Sequence, residues 1–225
     1  MRFKLSLAAS REKVTQECGK VTFPKSFGHQ FQINPAEKVY CLLDVNPSRM
    51  YTIEWGLIPH WAKRLNNRGN LTEINIEDIA SKPSSRIPFR TKRGIILTDA
   101  IYYMHKKGLE YTPYRIERKD GKLMRFACLW DEWRKEEKYL ATTALVTKKV
   151  QGFITDEFPI EFTADESSSW MEEQNLAAAE QMLGKKFYPE VYQYFKVTNR
   201  ILDVNYNEQD LTVPVPEEIN LFSFL

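Results

Sequence analysis

Stretches rich in β-branched and aromatic residues constrain the fold of this chain more than any helical pattern does. Five of them lie in the first two thirds of the sequence, at residues 2–9, 38–45, 49–57, 93–104 and 139–147. Their composition is typical of β-strands. Because no regular alternation with helices separates them, a doubly wound parallel sheet is disfavoured. We therefore predict an α+β fold with a mostly antiparallel, barrel-like β core flanked by a few helices.

Turn and capping residues add local detail to this prediction. Asp120-Gly121 tolerates positive φ, so it predicts a tight hairpin in which YRIERK and KLMRFACLW pair antiparallel. Ser, Thr and Gly at fixed positions mark helix ends. They predict a helix over residues 11–18, between Ser10 and Gly19, and a second over residues 164–173 after a Thr163/Glu166 capping box. A third is predicted over residues 175–184, where Leu176, Ala179 and Met182 form an apolar stripe and Gly184 ends the helix.

Length and composition bound the class of protein. The chain has 225 residues, 43% of them apolar, and no Gly/Ser-rich linker, so we expect a single domain over residues 1–225. No apolar run is long enough to cross a bilayer, which favours a cytoplasmic protein. Cys18, Cys41 and Cys128 lack CxxC spacing, so free buried thiols are expected rather than disulfides or zinc. We expect no metal and no cofactor.

The small net charge of +2 hides an uneven distribution. Residues 1–125 contain 23 Lys/Arg against 12 Asp/Glu, whereas residues 126–225 contain 9 against 18. The segment SRIPFRTKR, with Arg86, Arg90, Lys92 and Arg93, could line a groove that follows a phosphate backbone. The alternative is a solvated surface that the acidic half neutralises after folding.

Familiar catalytic motifs are missing from the sequence. His29, His60 and His105 stand apart without metal-ligand spacing, and there is no GxSxG, HExxH or Gly-rich phosphate loop. The most distinctive segment is WGLIPHW at 55–61, which places two tryptophans near a predicted strand end. Such rings can stack on unpaired bases. They can equally cover the core, and the sequence alone favours that second interpretation.

The segment WGLIPHW resembles one found at this distance from the start in the SOS response-associated peptidase family, which caps abasic sites in single-stranded DNA. Other segments follow in the family's order over about nine tenths of the chain: KPSSR at 82–86, RGIILTDAIYYM at 93–104, TPYRI at 112–116, FACLWDEW at 126–133, the Asp156/Pro159 segment and VTNRI at 197–201. The resemblance implies the family's α+β domain with a shallow, positively charged DNA channel.

The resemblance also implies a chemistry that this chain has lost. Active members expose a cysteine at position two, whose amine and thiol trap the aldehyde of an abasic sugar. Position two here is Arg2, whose guanidinium stays protonated, and a bulky second residue is expected to retain Met1. The other catalytic positions are occupied by Glu73 for an asparagine, Tyr103 for a glutamate and Thr155 for a histidine. A phenol and an aliphatic hydroxyl do not readily replace those acid/base groups.

What the resemblance leaves is binding. The DNA-binding candidates are Lys4, Trp55, Pro59, Trp61, Asn75, Glu77 and Arg86 from the family pattern, together with Arg90 from the basic segment. Asn75 stands for a phosphate-binding arginine and Glu157 for a second arginine, so Glu73 and Glu157 are expected to weaken phosphate binding. We therefore predict a catalytically degenerate member that binds single-stranded or abasic DNA noncovalently. A protein-interaction scaffold, or residual cross-linking through a lysine such as Lys4 or through Tyr103, stays open.

Overall fold

A computed structural model describes residues 2–65 and 68–216. Its strands and helices alternate irregularly along the chain. The strands are β1 Phe3–Leu7, β2 Gln30–Ile33, β3 Lys38–Leu43, β4 Asn46–Trp55, β5 Glu73–Asn75, β6 Arg93–Thr98, β7 Ala100–Lys107, β8 Glu110–Arg118, β9 Met124–Lys135, β10 Lys138–Lys149, β11 Glu157–Pro159 and β12 Tyr192–Lys196. The helices are α1 Arg11–Cys18, α2 Ile76–Ile79, α3 Pro83–Thr91, α4 Ala164–Glu172 and α5 Leu176–Leu183, with 3-10 turns at Pro189–Val191, Asn199–Leu202 and Gln209–Thr212.

Five of the strands close on themselves as a small barrel. Their order is β10-β4-β3-β6-β9, and β9 pairs again with β10 to complete the ring. All of these pairings are antiparallel except β4 with β10. Closure removes the exposed sheet edges that a flat sheet of this size would present. The predicted α+β fold with a barrel-like, mostly antiparallel core is confirmed.

A second sheet of five strands, in the order β12-β8-β7-β1-β2, packs against the barrel. Alternation of side chains along the strands divides the apolar residues between two main cores. One core holds barrel residues such as Cys41 and Cys128 together with Phe3, Leu5 and Ile101 of the second sheet. The other lies between the barrel strands and the helices and contains residues such as Trp170 of α4, whose indole donates to the Gly94 carbonyl over 3.1 Å.

Local signals placed the helices well. Ser10 caps α1, Thr163 and Glu166 form the capping box of α4, and Asn175 and Gly184 flank α5. The predicted helices are confirmed at these three places. Helices α2 and α3 were missed, although Pro83 stands at the first turn of α3, where its missing N–H costs nothing.

Two predictions about the strands are wrong, one about the length of a strand and one about which strands pair. The stretch 93–104 is not one strand, because it breaks at Asp99 and sends β6 into the barrel and β7 into the second sheet. Asp120-Gly121 does form a turn, with the Gly121 N–H donating to the Arg118 carbonyl over 3.1 Å. However, β8 and β9 on either side of that turn belong to different sheets and do not pair. The connection is a crossover between sheets.

The described cysteines follow the sequence prediction of free thiols. Cys41 and Cys128 are buried, and Cys18 is half-buried. Burial raises the pKa of Cys41, and the neighbouring Cys128 raises it further. Within residues 2–65 and 68–216, no helix is long and apolar enough to cross a membrane.

Candidate functional site

Strand register brings the family's catalytic positions towards one another. Strand β1 runs antiparallel to β7, so Phe3 lies opposite Tyr103, and the Met104 N–H donates to the Arg2 carbonyl over 3.1 Å. Arg2 therefore extends from the start of β1 beside β7. Barrel strand β10 organises the other side of the site, because both β5 and β11 pair with its last residues.

On β10, Thr147 is the residue that sets the register. It lies opposite Asn75 of the parallel strand β5, and two residues earlier Leu145 lies opposite Glu73. Strand β11 approaches from the other edge and places Glu157 opposite Lys149. Segments that are far apart in the chain thus converge on the end of β10.

Glu157 is the centre of this arrangement. Its carboxylate accepts hydrogen bonds from Arg2 Nη1 at 2.5 Å, from Asn75 Nδ2 at 2.9 Å and from the Thr147 hydroxyl at 2.5 Å. The Thr155 hydroxyl donates to the Glu157 backbone carbonyl over 2.9 Å. We call Arg2, Glu73, Asn75, Thr147 and Glu157 the Glu157 cluster.

The two carboxyl groups of the cluster have opposite pKa shifts. Burial opposes ionisation of Glu157, but hydrogen bonds from Thr147 and Asn75 and the charge of Arg2 outweigh it and lower its pKa. Burial raises the pKa of half-buried Glu73 to about 7, with Arg2 lowering it and the Glu157 charge raising it. At neutral pH the cluster therefore holds one strong ion pair and one carboxyl that is partly protonated.

The side chains at the family's catalytic positions are engaged with their neighbours. The Arg2 guanidinium is held in an ion pair where an active member presents amine and thiol. Tyr103 packs its ring against Phe3 at 5.9 Å and against His105 at 6.0 Å. Thr155 is buried. Met1, whose retention the sequence predicts, lies outside the described residues.

Two residues at the family's DNA-contacting positions are internal in this chain. The Lys4 side chain is 2% exposed, and its ammonium donates to Gln32 Oε1 over 3.1 Å and to the Ile201 carbonyl. Trp55 is fully buried, and its indole donates to the Thr72 carbonyl over 3.0 Å. Lys4 and Trp55 therefore lie inside the protein and are not on a surface that DNA could contact, so the prediction that they bind DNA is not supported by their positions.

Asn75 and Glu77 are engaged with neighbouring residues. Asn75 donates to Glu157 and also caps α2, because its side-chain oxygen accepts from the Glu77 N–H at 3.0 Å. Glu77 is exposed and pairs with Lys149 at 3.0 Å. On α3, Arg86 and Arg90 are exposed, and within the described residues neither forms an ion pair with a carboxylate. No contact joins these two arginines to the Glu157 cluster.

The WGLIPHW segment forms an anchored loop over the barrel. It begins at Gly56, where φ is +131° and an added Cβ would overlap the backbone of Gly69, so only glycine fits. Further along, the Ile58 N–H donates to Thr142 Oγ1 and the His60 N–H to Asp131 Oδ2, both over 2.8 Å. The loop therefore runs along β9 and β10 towards their hairpin.

The two tryptophans of the loop have different environments. Trp55 is buried, whereas Trp61 is 55% exposed, so the favoured interpretation that both rings cover the core holds for Trp55 and is wrong for Trp61. Pro59, half-buried, accepts from the Ala62 N–H at 2.9 Å and turns the chain there. Beyond it, the Trp133 indole donates to the Ala62 carbonyl over 2.6 Å. This contact fixes the loop where Trp61 projects.

A shallow basic groove of about 270 Å³ begins at Lys63, two residues after Trp61 in the chain, and sequence reasoning missed it. Its lining includes one carboxylate, Glu136, and a buried ring, Trp133; the cations are Lys63, Arg64, Lys135 and Lys138. All four are exposed, and within the described residues none forms an ion pair. The signal was present in the segments WAKRL and WRKEEK, which only the fold brings together. We call Trp61 and these four cations the Trp61 surface.

Within the described residues, no group of three or more His, Cys, Asp and Glu side chains has the geometry to hold a metal ion.

Comparisons with known proteins agree with the sequence resemblance. The abasic site processing protein YoaM of Bacillus subtilis is 29% identical over 162 residues, covering 69% of this chain and 71% of the relative. YoqW of the same organism is 28% identical over 64% of this chain and 67% of its own length. A Saccharomyces cerevisiae abasic site processing protein is 24% identical over 76% of this chain and 49% of its own length.

Solved structures match the fold closely. A Bacteroides thetaiotaomicron protein superposes with a TM-score of 0.82 at 19% identity, covering 95% of this chain and 99% of the other. A Bordetella bronchiseptica protein gives a TM-score of 0.76 at 15% identity, covering 88% and 100%. Residues 1–204 match the family model of the SOS response associated peptidase (SRAP) family. The chain therefore belongs to the SOS response associated peptidase family.

Proposed function

We propose that this chain is a catalytically degenerate family member that binds single-stranded DNA, including strands with abasic sites, without forming a covalent bond. The observation that carries the proposal is the Trp61 surface: an exposed tryptophan two residues before Lys63 in the chain, and a groove whose four cations form no ion pair within the described residues. Aromatic rings for stacking, combined with a positive groove for the backbone, are what sequence-independent single-strand binding requires.

Loss of covalent chemistry is supported by the Glu157 cluster. The cross-link needs an amine and a thiol on one residue, and the side chain at position two is a guanidinium bound to Glu157. Lys4 is a poor substitute nucleophile, because its ammonium is buried and donates to Gln32 and to a backbone carbonyl. Burial lowers the pKa of Lys4 despite the opposing charges of Glu37 and Asp203, so it is the enclosure of the amine that disfavours attack.

Electrostatics at the cluster also fits binding without capture. Glu157 was expected to repel a phosphate backbone, but Arg2 neutralises it within the protein. Glu73, with a pKa of about 7, carries only part of a negative charge at neutral pH. The former catalytic positions, at the end of β10 away from the hairpin, therefore present little net negative charge to DNA.

Fluorescence anisotropy with a labelled single-stranded oligonucleotide tests the binding. We expect affinity at low salt that falls linearly with the logarithm of salt concentration, since lysine and arginine contacts release counterions. Affinity that is absent at low salt, or that is independent of salt, would reject the model of phosphate contacts.

Borohydride trapping on an abasic oligonucleotide tests the loss of chemistry separately. An intact strand and an abasic strand should give no reduced adduct with the protein. A trapped adduct that survives heating would show that an amine still attacks the aldehyde, and a Lys4→Arg variant would then tell whether Lys4 supplies it.

A further inference from the structure

A second concave region lies away from the family's catalytic positions. It is a cleft of about 640 Å³ between the turn that follows β8, the segment from β11 into α4, and the chain that follows α5. Arg2, Glu73, Tyr103 and Thr155 do not line it. Its volume is in the range of sites that enclose small organic ligands.

One wall of the cleft is aromatic. Phe187 stacks on Tyr192 with ring centroids 5.6 Å apart and planes inclined by 15°, and Phe187 also packs against Phe158 at 5.4 Å. Phe162 and Tyr188 extend the apolar lining, and Tyr188 is 48% exposed. This wall offers a flat face against which a planar group can lie.

The acidic groups of the cleft are already satisfied. Glu161 accepts from Arg118 Nη1 at 2.8 Å and from the Tyr192 hydroxyl. Glu17 accepts from the Leu123 N–H at 2.8 Å. The charge of Glu161 acts on Arg118 and Lys185, and within the described residues neither carboxylate forms an ion pair with Lys148 or Lys186.

Those lysines are left with positive charge. Lys185 pairs with Glu166 at 2.5 Å, but Lys148 donates only to the Lys185 backbone carbonyl, and Lys186 lies 5.3 Å from the Tyr188 ring centroid. Within the described residues neither Lys148 nor Lys186 has a carboxylate partner. Burial, and then the like charge of Lys185, lowers the pKa of Lys148. An anion bound there would offset both the burial of the Lys148 charge and its repulsion by Lys185.

We infer that this cleft binds a small organic phosphate with a flat aromatic body, of the size of a mononucleotide, with Lys148 and Lys186 on the phosphate and Phe187 and Tyr188 beside the ring. Lysine is a suitable point charge for a phosphate group. A phosphate dianion gains more electrostatic energy from two lysines than a ligand with a single carboxylate would. This site is separate from the Trp61 surface and does not depend on DNA binding.

Calorimetric titration of the full chain with adenosine 5′-monophosphate tests the inference. We expect saturable binding, with adenosine and inorganic phosphate each at least roughly tenfold weaker because each lacks one half of the ligand. Lys148→Met and Lys186→Met should each weaken binding by about tenfold. Lys106→Met, at an exposed lysine of β7 outside the cleft, is the matched control and should bind normally.

Two more variants test whether the nucleotide occupies this cleft rather than the Trp61 surface. Ala164 is exposed and lines the cleft, so Ala164→Trp should fill the space and abolish binding while thermal unfolding stays unchanged. Trp61→Ala should leave the titration unaltered. The inference is overturned if the nucleotide does not saturate, if adenosine binds equally well, if both lysine variants bind normally, or if Trp61→Ala removes binding.

Discussion

The Glu157 cluster and the Trp61 surface use positive charge in opposite ways. In the cluster, Arg2 is bound to Glu157 at 2.5 Å, and amide and hydroxyl donors complete the carboxylate. On the Trp61 surface, Lys63, Arg64, Lys135 and Lys138 are exposed beside a single lining carboxylate. Charge that is paired inside the protein stabilises the fold, whereas charge that is left unpaired is available to a polyanion.

The contrast depends on one pairing between two positions at which this chain departs from the family pattern. Arg2, where the resemblance implies a cysteine, and Glu157, where it implies an arginine, neutralise each other. The sequence alone suggested that Glu157 adds unfavourable charge near DNA. The tertiary structure shows that Arg2 neutralises this charge, with Arg2 Nη1 2.5 Å from a Glu157 carboxylate oxygen.

The largest expected effect is on stability, from removing the centre of the cluster. Glu157→Ala leaves the Arg2 guanidinium, Asn75 and Thr147 without their shared acceptor, which should cost about 2–3 kcal/mol of unfolding free energy. Urea unfolding measures this. Glu77→Ala, which removes an exposed ion pair, is the control and should change stability by less than about 0.5 kcal/mol.

A double-mutant cycle sharpens the same point. If Arg2 and Glu157 compensate each other, Arg2→Met combined with Glu157→Gln should cost less than the sum of the two single changes. Strict additivity would mean that the pair is incidental, and the contrast between the two regions would then lose its basis.

The next largest effect is on DNA binding. Trp61→Ala should weaken single-strand affinity by roughly tenfold, because base stacking on an aromatic side chain is worth about 1–3 kcal/mol. Anisotropy at fixed salt measures the loss. His60→Ala in the same loop serves as a comparison. The His60 ring and backbone N–H both contact Asp131 Oδ2. Equal affinities for wild type and Trp61→Ala would place the strand elsewhere.

A smaller effect concerns pH. The folded-state pKa of Glu73 is about 7, above its ordinary value of 4.5, so the folded protein binds more protons than the unfolded chain between these values. Stability should therefore decrease as pH rises from about 4.5 to 7, by on the order of 1 kcal/mol after allowance for partial exposure. The lowered pKa of Glu157 acts below that window.

Urea unfolding at several pH values in this window tests the assignment. Glu73→Gln should remove most of the slope, since glutamine does not titrate, while Glu77→Gln on the neighbouring turn should keep it. A slope that persists unchanged in Glu73→Gln would assign the titration to another group.

The smallest effect concerns salt. Arg64→Gln should weaken single-strand binding modestly and reduce the salt slope by about 0.7, the value for one phosphate contact to a single strand. The same change at Arg86, on α3 and not in contact with the groove, tests how far the binding surface extends. Equal slopes for wild type and Arg64→Gln would remove Arg64 from the surface.

The sequence by itself determined the local structure and the family. The caps at Ser10 and Thr163 and the glycine at 184 are interactions within a few residues, so they could be read directly. The ordered segments around WGLIPHW were equally legible, and the family match over residues 1–204 agrees with them. The lost cysteine was visible at Arg2 for the same reason.

Only tertiary structure decided which residues meet. The break at Asp99, the crossover after Gly121 and the different environments of Trp55 and Trp61 depend on sheet membership, which no local pattern encodes. Arg2 and Glu157 are 155 residues apart in the chain, and their ion pair exists because the start of β1 in the second sheet meets β11 at the end of β10. Long-range strand pairing set the charge balance of both regions, and composition could not reveal it.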